Sequence, residues 1–116
     1  MNTEIGNEDA LSIAAFLGAS SAPVTLFSLS WCSYCHAVKQ LLKQLKIPFD
    51  EVELDTGRYR EPALNASLRT ELRKMTGSNT LPQVFVGRIS VGGYTETSAA
   101  ARSGKLQKLL AENPKT

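Results

Sequence analysis

The chain has 116 residues, 42% hydrophobic and 21% charged, with a net charge of +2. This length suits a single domain over 1–116, and the composition excludes wholesale disorder. The small charge excludes a nucleic-acid footprint, and no apolar stretch approaches the roughly 20 residues that cross a bilayer.

Residues 1–7 are polar and read as a loose end, as do residues 113–116. Asn7 can cap a helix whose first turn carries Glu8 and Asp9. Ala10, Ile13, Ala14 and Leu17 form its apolar stripe, widened by Leu11 and Phe16, with Gly18 as the stop. The small apolar stretch from Ala10 to Ala22 lacks a basic segment before it, so it reads as a helix and not as a signal peptide. With two cysteines three apart and no disulfide framework, the expected compartment is the cytoplasm or another reducing one.

Val24 to Leu29 is a short β-branched run and reads as a buried strand. Trp31-Cys32-Ser33-Tyr34-Cys35 follows, with both cysteines of the chain. Val38, Leu41, Leu42 and Leu45 then give an amphipathic helix, with Lys39, Gln40, Lys43, Gln44 and Lys46 on its wet face and Pro48 as its stop. Phe49 to Leu54 reads as a second strand, parallel to the first across a helical crossover. A polar loop from Asp55 to Ala63 precedes a helix marked by Leu64, Leu68, Leu72 and Met75 and ended by Gly77. Gln83 to Val86 and Ile89 to Val91 form a hairpin around Gly87-Arg88. After Gly92-Gly93, Thr95 can cap a last helix with Leu106, Leu109 and Leu110 on its apolar face, divided at Ser103-Gly104. The order α-β-α-β-α-β-β-α predicts a thioredoxin-like α/β fold. Its four-stranded mixed sheet is a parallel pair plus an antiparallel hairpin, with helices on both faces.

Three stretches carry chemistry. The first is the Cys-x-x-Cys loop. A thiolate is the nucleophile, and a cysteine at a helix start has unpaired backbone N–H groups and the helix dipole aimed at its sulfur, which favours that form. Cys35 sits one turn along on the same face, more buried and less ionised, so Cys32 attacks and Cys35 resolves. A closed zinc site needs about four ligands, whereas the chain adds only His36, read as a solvated helix residue. The second stretch is Thr80-Leu81-Pro82, just before a strand. A cis bond at Pro82 would leave the Leu81 backbone N–H and C=O open to a peptide-like ligand; an ordinary trans proline at a strand edge is the alternative. The third is Gly92-Gly93-Tyr94-Thr95-Glu96. Its glycines allow close approach of a ligand, the N–H groups of Thr95 and Glu96 suit a carboxylate, and the Glu96 carboxylate suits an ammonium; a plain tight turn with helix capping is the alternative.

Together, Cys32-Ser33-Tyr34-Cys35, Thr80-Leu81-Pro82-Gln83-Val84-Phe85-Val86 and Gly92-Gly93-Tyr94-Thr95-Glu96 resemble the glutaredoxin family, in its dithiol form. They occur in the family's order and span about residues 24–112. The resemblance implies a glutathione-dependent thiol–disulfide oxidoreductase that reduces protein–glutathione mixed disulfides and protein disulfides. Glutathione and such proteins are then its partners, with neither nucleic acid nor membrane. It implies Cys32 as nucleophile, Cys35 as resolving thiol, a cis Pro82, and a glutathione site of Tyr34, Thr80, Leu81, Pro82, Gly93, Tyr94, Thr95 and Glu96. In it Leu81 pairs its backbone with the cysteinyl unit, Thr95 and Glu96 hold the γ-glutamyl end, and Arg69 or Arg73 meets the glycine carboxylate.

Ser33 stands where the family usually has proline. In glutaredoxins with a similar Trp-Cys-Ser-Tyr-Cys loop the change goes with a [2Fe–2S] cluster between two subunits. That gives a second reading, in which Cys32 and glutathione ligate such a cluster for transfer or redox sensing. The chain would be a monomer in the first reading and a cluster-bridged dimer in the second. The Ser33 hydroxyl is expected to donate toward Cys32 or cap the helix. A thioredoxin is the third reading, disfavoured by the lack of Gly-Pro between the cysteines.

Overall fold

The computed structural model describes residues 11–113. Helix α1 (Ile13–Ala19) leads into strand β1 (Val24–Ser28), helix α2 (Ser33–Gln44) and strand β2 (Phe49–Glu53). A 3-10 turn at Gly57–Arg60 and helix α3 (Pro62–Thr76) precede the hairpin β3 (Gln83–Val86) and β4 (Ile89–Gly92). Helices α4 (Tyr94–Ser103) and α5 (Lys105–Glu112) close the chain. The strand order is β2-β1-β3-β4. β1 runs parallel to β2 and antiparallel to β3, which pairs antiparallel with β4. The expected four-stranded mixed sheet is present.

Helices cover both faces, so every residue of β1 and β3 is buried. The period-2 alternation of a strand divides them between two cores. Val24, Leu26, Val84 and Val86 face Val38 and Leu42 of α2, Ala100 of α4 and Leu106 of α5. Phe27 and Phe85 face the other way, onto Ile13 and Leu17 of α1 and Leu68 and Leu72 of α3. The two phenylalanines meet edge to face, ring centroids 5.7 Å apart. Helix α1 is therefore core.

Several boundaries differ from the sequence reading. The Asn7 cap lies outside the described residues; α1 starts instead at Ser12, whose hydroxyl accepts the Ala15 N–H at 3.0 Å. Gly18 does not stop α1. A Cβ there would stand 2.9 Å from the Arg88 guanidinium, and that side chain donates to the Ala14 carbonyl at 3.4 Å, so the glycine clears a path for it inside the helix. Helix α2 ends before Pro48: Leu45 is its C-cap, 38% exposed, and Lys46 takes a positive φ of 59°. Lys39 is not on the wet face; its ammonium lies 3.0 Å from Glu51 on β2, half-buried. Met75, 37% exposed, stands outside the core. The loop after β2 is shorter than expected, because Pro62 takes the first position of α3, where its missing N–H costs nothing, and Glu61 caps the helix. Gly77 ends α3 in the left-handed conformation, and Gly104 divides α4 from α5 in the same way, as expected.

A contact with no local sequence signal joins α1 to α3. The Glu71 carboxylate accepts the Ile13 and Ala14 N–H groups, at 2.8 and 3.0 Å. These are unpaired donors at the start of α1, and a carboxylate there also meets the positive end of the dipole. Glu71→Ala is expected to cost about 1 kcal/mol of stability, the scale of a lost N-cap. Glu71→Gln should recover part of it in urea unfolding. Equal stability of wild type and Glu71→Ala would show that the contact is idle.

Candidate active site

The active loop is held from two sides. At its start, the Ser30 N–H and hydroxyl both donate to Asp55, just past β2, at 2.9 and 2.7 Å. That hydroxyl bond is the main reason the Asp55 carboxyl is held below the usual carboxylate range. The parallel register explains the meeting: Ser28 lies opposite Glu53, so two residues on Ser30 lies opposite Asp55. Sequence reasoning missed Asp55, although this register was its only available signal. At the loop's end, helix α2 takes over.

The N-cap of α2 is Cys32 itself, not Ser33. Its Sγ accepts the Cys35 N–H at 3.2 Å and lies 3.7 Å from the Leu81 carbonyl, to which the thiol donates. Ser33 is the first helical residue and is exposed. The sulfur fills the position usually taken by a serine or aspartate oxygen, because the loop leaves β1 in extended geometry at residue 32 and turns helical at once. A thiolate placed there receives the donors that a helix start leaves unpaired. Both thiols are free.

Cys35 is fully buried and accepts the Leu29 N–H at 3.4 Å. Burial, followed by its hydrogen bond with Cys32, pushes its thiol up to about 12. His36 is exposed, and its Nε2 lies 3.2 Å from the Ser30 carbonyl. Trp31 and Tyr34 project into solvent at 75% and 64% exposure.

The Leu81-Pro82 bond is cis. Beside it runs a groove of about 390 Å³. Tyr34 lines it from α2, Thr80, Leu81 and Pro82 from the loop before β3, and Gly93, Tyr94, Thr95 and Glu96 from the start of α4. Three segments far apart in sequence thus meet in one groove, at whose Leu81 rim stands the Cys32 sulfur. The Tyr34 and Tyr94 rings stand 6.1 Å apart along it. A larger hollow of about 440 Å³ lies between β4, α4 and α5, but the groove is the one that shares Leu81 with the Cys32 sulfur, 3.7 Å from the Leu81 carbonyl, so chemistry rather than volume selects it.

The glycine pair serves a close approach within the protein itself. A Cβ on Gly92, whose φ is 117°, would stand 2.8 Å from the Glu96 Cβ; one on Gly93 would meet the Pro82 carbonyl at 3.4 Å. The close neighbours are the protein's own Glu96 side chain and the cis-proline turn. The helix cap also differs: Gly93, not Thr95, is the N-cap of α4, and the Glu96 carboxylate accepts its N–H at 2.8 Å. Arg69, and not Arg73, lines a small polar hollow that shares Leu81 with the groove.

The Glutaredoxin family model matches residues 24–91. The chain belongs to the glutaredoxin family. It is 40% identical over 93 residues to a glutaredoxin of Solanum lycopersicum, covering 80% of this chain and 82% of that one. It is 37% identical over 89 residues to a glutaredoxin of Pseudomonas aeruginosa, covering 77% and 96%. Among solved structures, a buckwheat glutaredoxin–glutathione complex superposes with a TM-score of 0.72 at 28% identity, over 96% of this chain and 90% of that one. The holo form of glutaredoxin C1 from Populus tremula x tremuloides does so at 0.71 and 32% identity, over 97% and 90%. Glutaredoxins are thiol oxidoreductases, and the two free cysteines at the head of α2 are the groups this chain offers for that chemistry.

No group of three or more His, Cys, Asp or Glu side chains able to hold a metal exists among the described residues. With Cys35 buried and held as a thiol, Cys32 is the one sulfur this chain offers to an iron–sulfur cluster. The donor set fits such a cluster only as a shared one, completed by thiolates from outside the chain.

The contrast between the thiols predicts the order of alkylation. Brief exposure of the reduced protein to iodoacetamide at pH 8 should give one adduct, at Cys32. Peptide mass spectrometry checks this, and early modification of Cys35 would contradict the burial and protonation assigned to it.

Proposed function

We propose that this glutaredoxin reduces protein–glutathione mixed disulfides, and protein disulfides, with glutathione as the reductant. The observation that carries the proposal is the groove ending at the Cys32 sulfur. It presents backbone at Leu81, whose carbonyl lies 3.7 Å from that sulfur, aromatic faces at Tyr34 and Tyr94, and a helix start at Thr95 and Glu96.

In the first step the Cys32 thiolate attacks the glutathionyl sulfur. A Cys32–glutathione disulfide forms and the protein thiolate leaves, taking a proton from solvent. A second glutathione thiolate then attacks the glutathionyl sulfur, which gives oxidised glutathione and restores the Cys32 thiolate. With a protein disulfide, Cys32 forms the mixed disulfide and Cys35 displaces the protein by attacking the Cys32 sulfur. Two electrons pass from the two thiols, leaving a Cys32–Cys35 disulfide for glutathione to reduce. The Cys35 backbone N–H donates to the Cys32 sulfur at 3.2 Å, which holds that sulfur at the turn of α2 that carries the resolving residue.

In this reading the Leu81 backbone pairs with the cysteinyl unit, the start of α4 holds the γ-glutamyl carboxylate, and Arg69 meets the glycine carboxylate. The second reading uses the same Cys32 sulfur. Ser33 in the Trp31-Cys32-Ser33-Tyr34-Cys35 loop favours a capacity to share a [2Fe–2S] cluster, held by Cys32 of two copies and two glutathione thiolates. The cluster would supply electron storage or a transferable iron–sulfur unit.

Cys32→Ser should abolish turnover of a glutathionylated substrate, and with it any visible absorption acquired on anaerobic reconstitution. Cys35→Ser should keep the mixed-disulfide activity and lose at least ten-fold on a protein disulfide. Coupled assays with glutathione and its reductase check both. Activity surviving Cys32→Ser would overturn the assignment.

A further inference from the structure

The two-cysteine route puts a charge where the fold resists one. When glutathione attacks the Cys32 sulfur of a Cys32–Cys35 disulfide, the S–S bond breaks and its electron pair goes to the Cys35 sulfur, which leaves as a thiolate. Cys35 is fully buried, and a buried charge is costly unless it is paired. The Leu29 N–H meets its sulfur at 3.4 Å. One backbone dipole at that distance is a small offset for a full charge, so a cation nearby matters.

Lys39 is placed to be that cation. It stands one turn beyond Cys35 on α2, and helical side chains lean toward the N-terminus, so its side chain leans back toward Cys35. Its ammonium is half-buried between α2 and β2, 3.0 Å from the Glu51 carboxylate and 4.0 Å from that of Glu53. Glu51 also accepts the Ser28 hydroxyl at 2.5 Å. Ser28 is fully buried and directly precedes Leu29, whose N–H meets the Cys35 sulfur. Both ends of this chain of contacts therefore arrive at Cys35, one through the backbone of β1 and the other along α2. Burial, the largest influence, and the Cys32 contact oppose a charge on Cys35, whereas the Leu29 N–H and the Lys39 ammonium favour one. Drawing an ammonium and two carboxylates partly out of water is weak support for stability, which points to a use for the cation beyond holding α2 to the sheet.

We propose that Lys39 serves the two-cysteine route alone, as a positioning residue whose ammonium, held by Glu51 and Glu53, stabilises the charge on the Cys35 sulfur as the Cys32–Cys35 disulfide opens or closes. In opening, a glutathione thiolate bonds to the Cys32 sulfur and Cys35 leaves with the electron pair. A second glutathione thiolate takes the glutathionyl sulfur, giving oxidised glutathione and the Cys32 thiolate, and Cys35 regains a proton from solvent. In closing, Cys35 gives up that proton and attacks the Cys32 sulfur, so the same ammonium serves both directions. The one-cysteine route never charges Cys35 and gains nothing from Lys39. The proposal rests on the disulfide-reduction reading of this site.

The test follows reduction of the oxidised full chain by glutathione, and separately by dithiothreitol, using rapid-quench alkylation and mass spectrometry. Turnover of a glutathionylated peptide is measured beside it. In Lys39→Met both reductions should slow about ten-fold, less than the loss of a donor that touches the developing charge, while peptide turnover changes by less than about two-fold. Lys39→Arg, which keeps the charge, should recover most of the rate. Lys39→Met combined with Glu51→Gln removes the closer ion pair as a unit and keeps the test open if the single variant does not fold, which melting curves check. The combined variant should stay slow by at least about three-fold. Unchanged reduction rates overturn the proposal, as do an equal slowing of peptide turnover, a Lys39→Arg rate no better than that of Lys39→Met, or a combined variant as fast as wild type. Oxidised wild type that dithiothreitol reduces and glutathione does not sinks the glutathione reading instead, and the dithiothreitol rates alone then decide for or against Lys39.

Discussion

The bond from the Cys35 N–H to the Cys32 sulfur does two things at one atom: it caps helix α2, and it places the sulfur proposed as the nucleophile where a helix start concentrates unpaired donors. Everything around the site serves that placement. Strand β1 delivers the chain to the helix start, Asp55 fixes Ser30 just before it, and the Leu81 carbonyl meets the sulfur from the side. Burial first, and then a side-chain hydrogen bond with Cys32, keep Cys35 a thiol, which suits the division of labour proposed for the two cysteines.

The second constraint is crowding at the start of α4. Gly92 and Gly93 let the chain turn tightly enough for Glu96 to fold back onto the Gly93 N–H and for the cis-proline turn to pack alongside. That packing brings Tyr94 and Thr95 to the loop before β3 and makes one wall of the groove. Side-chain capping and groove formation are therefore one event, and a glycine pair that looks made for a ligand is first required by the protein itself.

Much of the fold was legible because its signals are local. The β-branched run of β1, the i, i+3, i+4 leucines of α2 and α3, Gly87-Arg88 in its hairpin, and Gly77 and Gly104 as left-handed caps each act within a few residues. The groove residues were legible through the family resemblance, and the fold brings all eight together. What could not be read is what depends on pairing across the fold. Glu71 reaches the start of α1 across 58 residues, and Asp55 reaches Ser30 across 25. The Lys39 ammonium finds Glu51 only once α2 is laid against β2. Gly18 shows the same limit in reverse: a local stop signal is overridden because a distant arginine needs the space.

The central claim is that the groove beside Cys32 receives the glutathionyl moiety during turnover. Trapping the mixed disulfide with glutathione on the Cys35→Ser variant and determining its structure tests this most directly. The expected structure has the glutathionyl sulfur bonded to Cys32, its cysteinyl backbone paired with Leu81, and its γ-glutamyl carboxylate at the Thr95 and Glu96 N–H groups. A glutathionyl group bonded to Cys32 but directed into solvent, with Tyr34, Leu81 and Thr95 untouched, would contradict it.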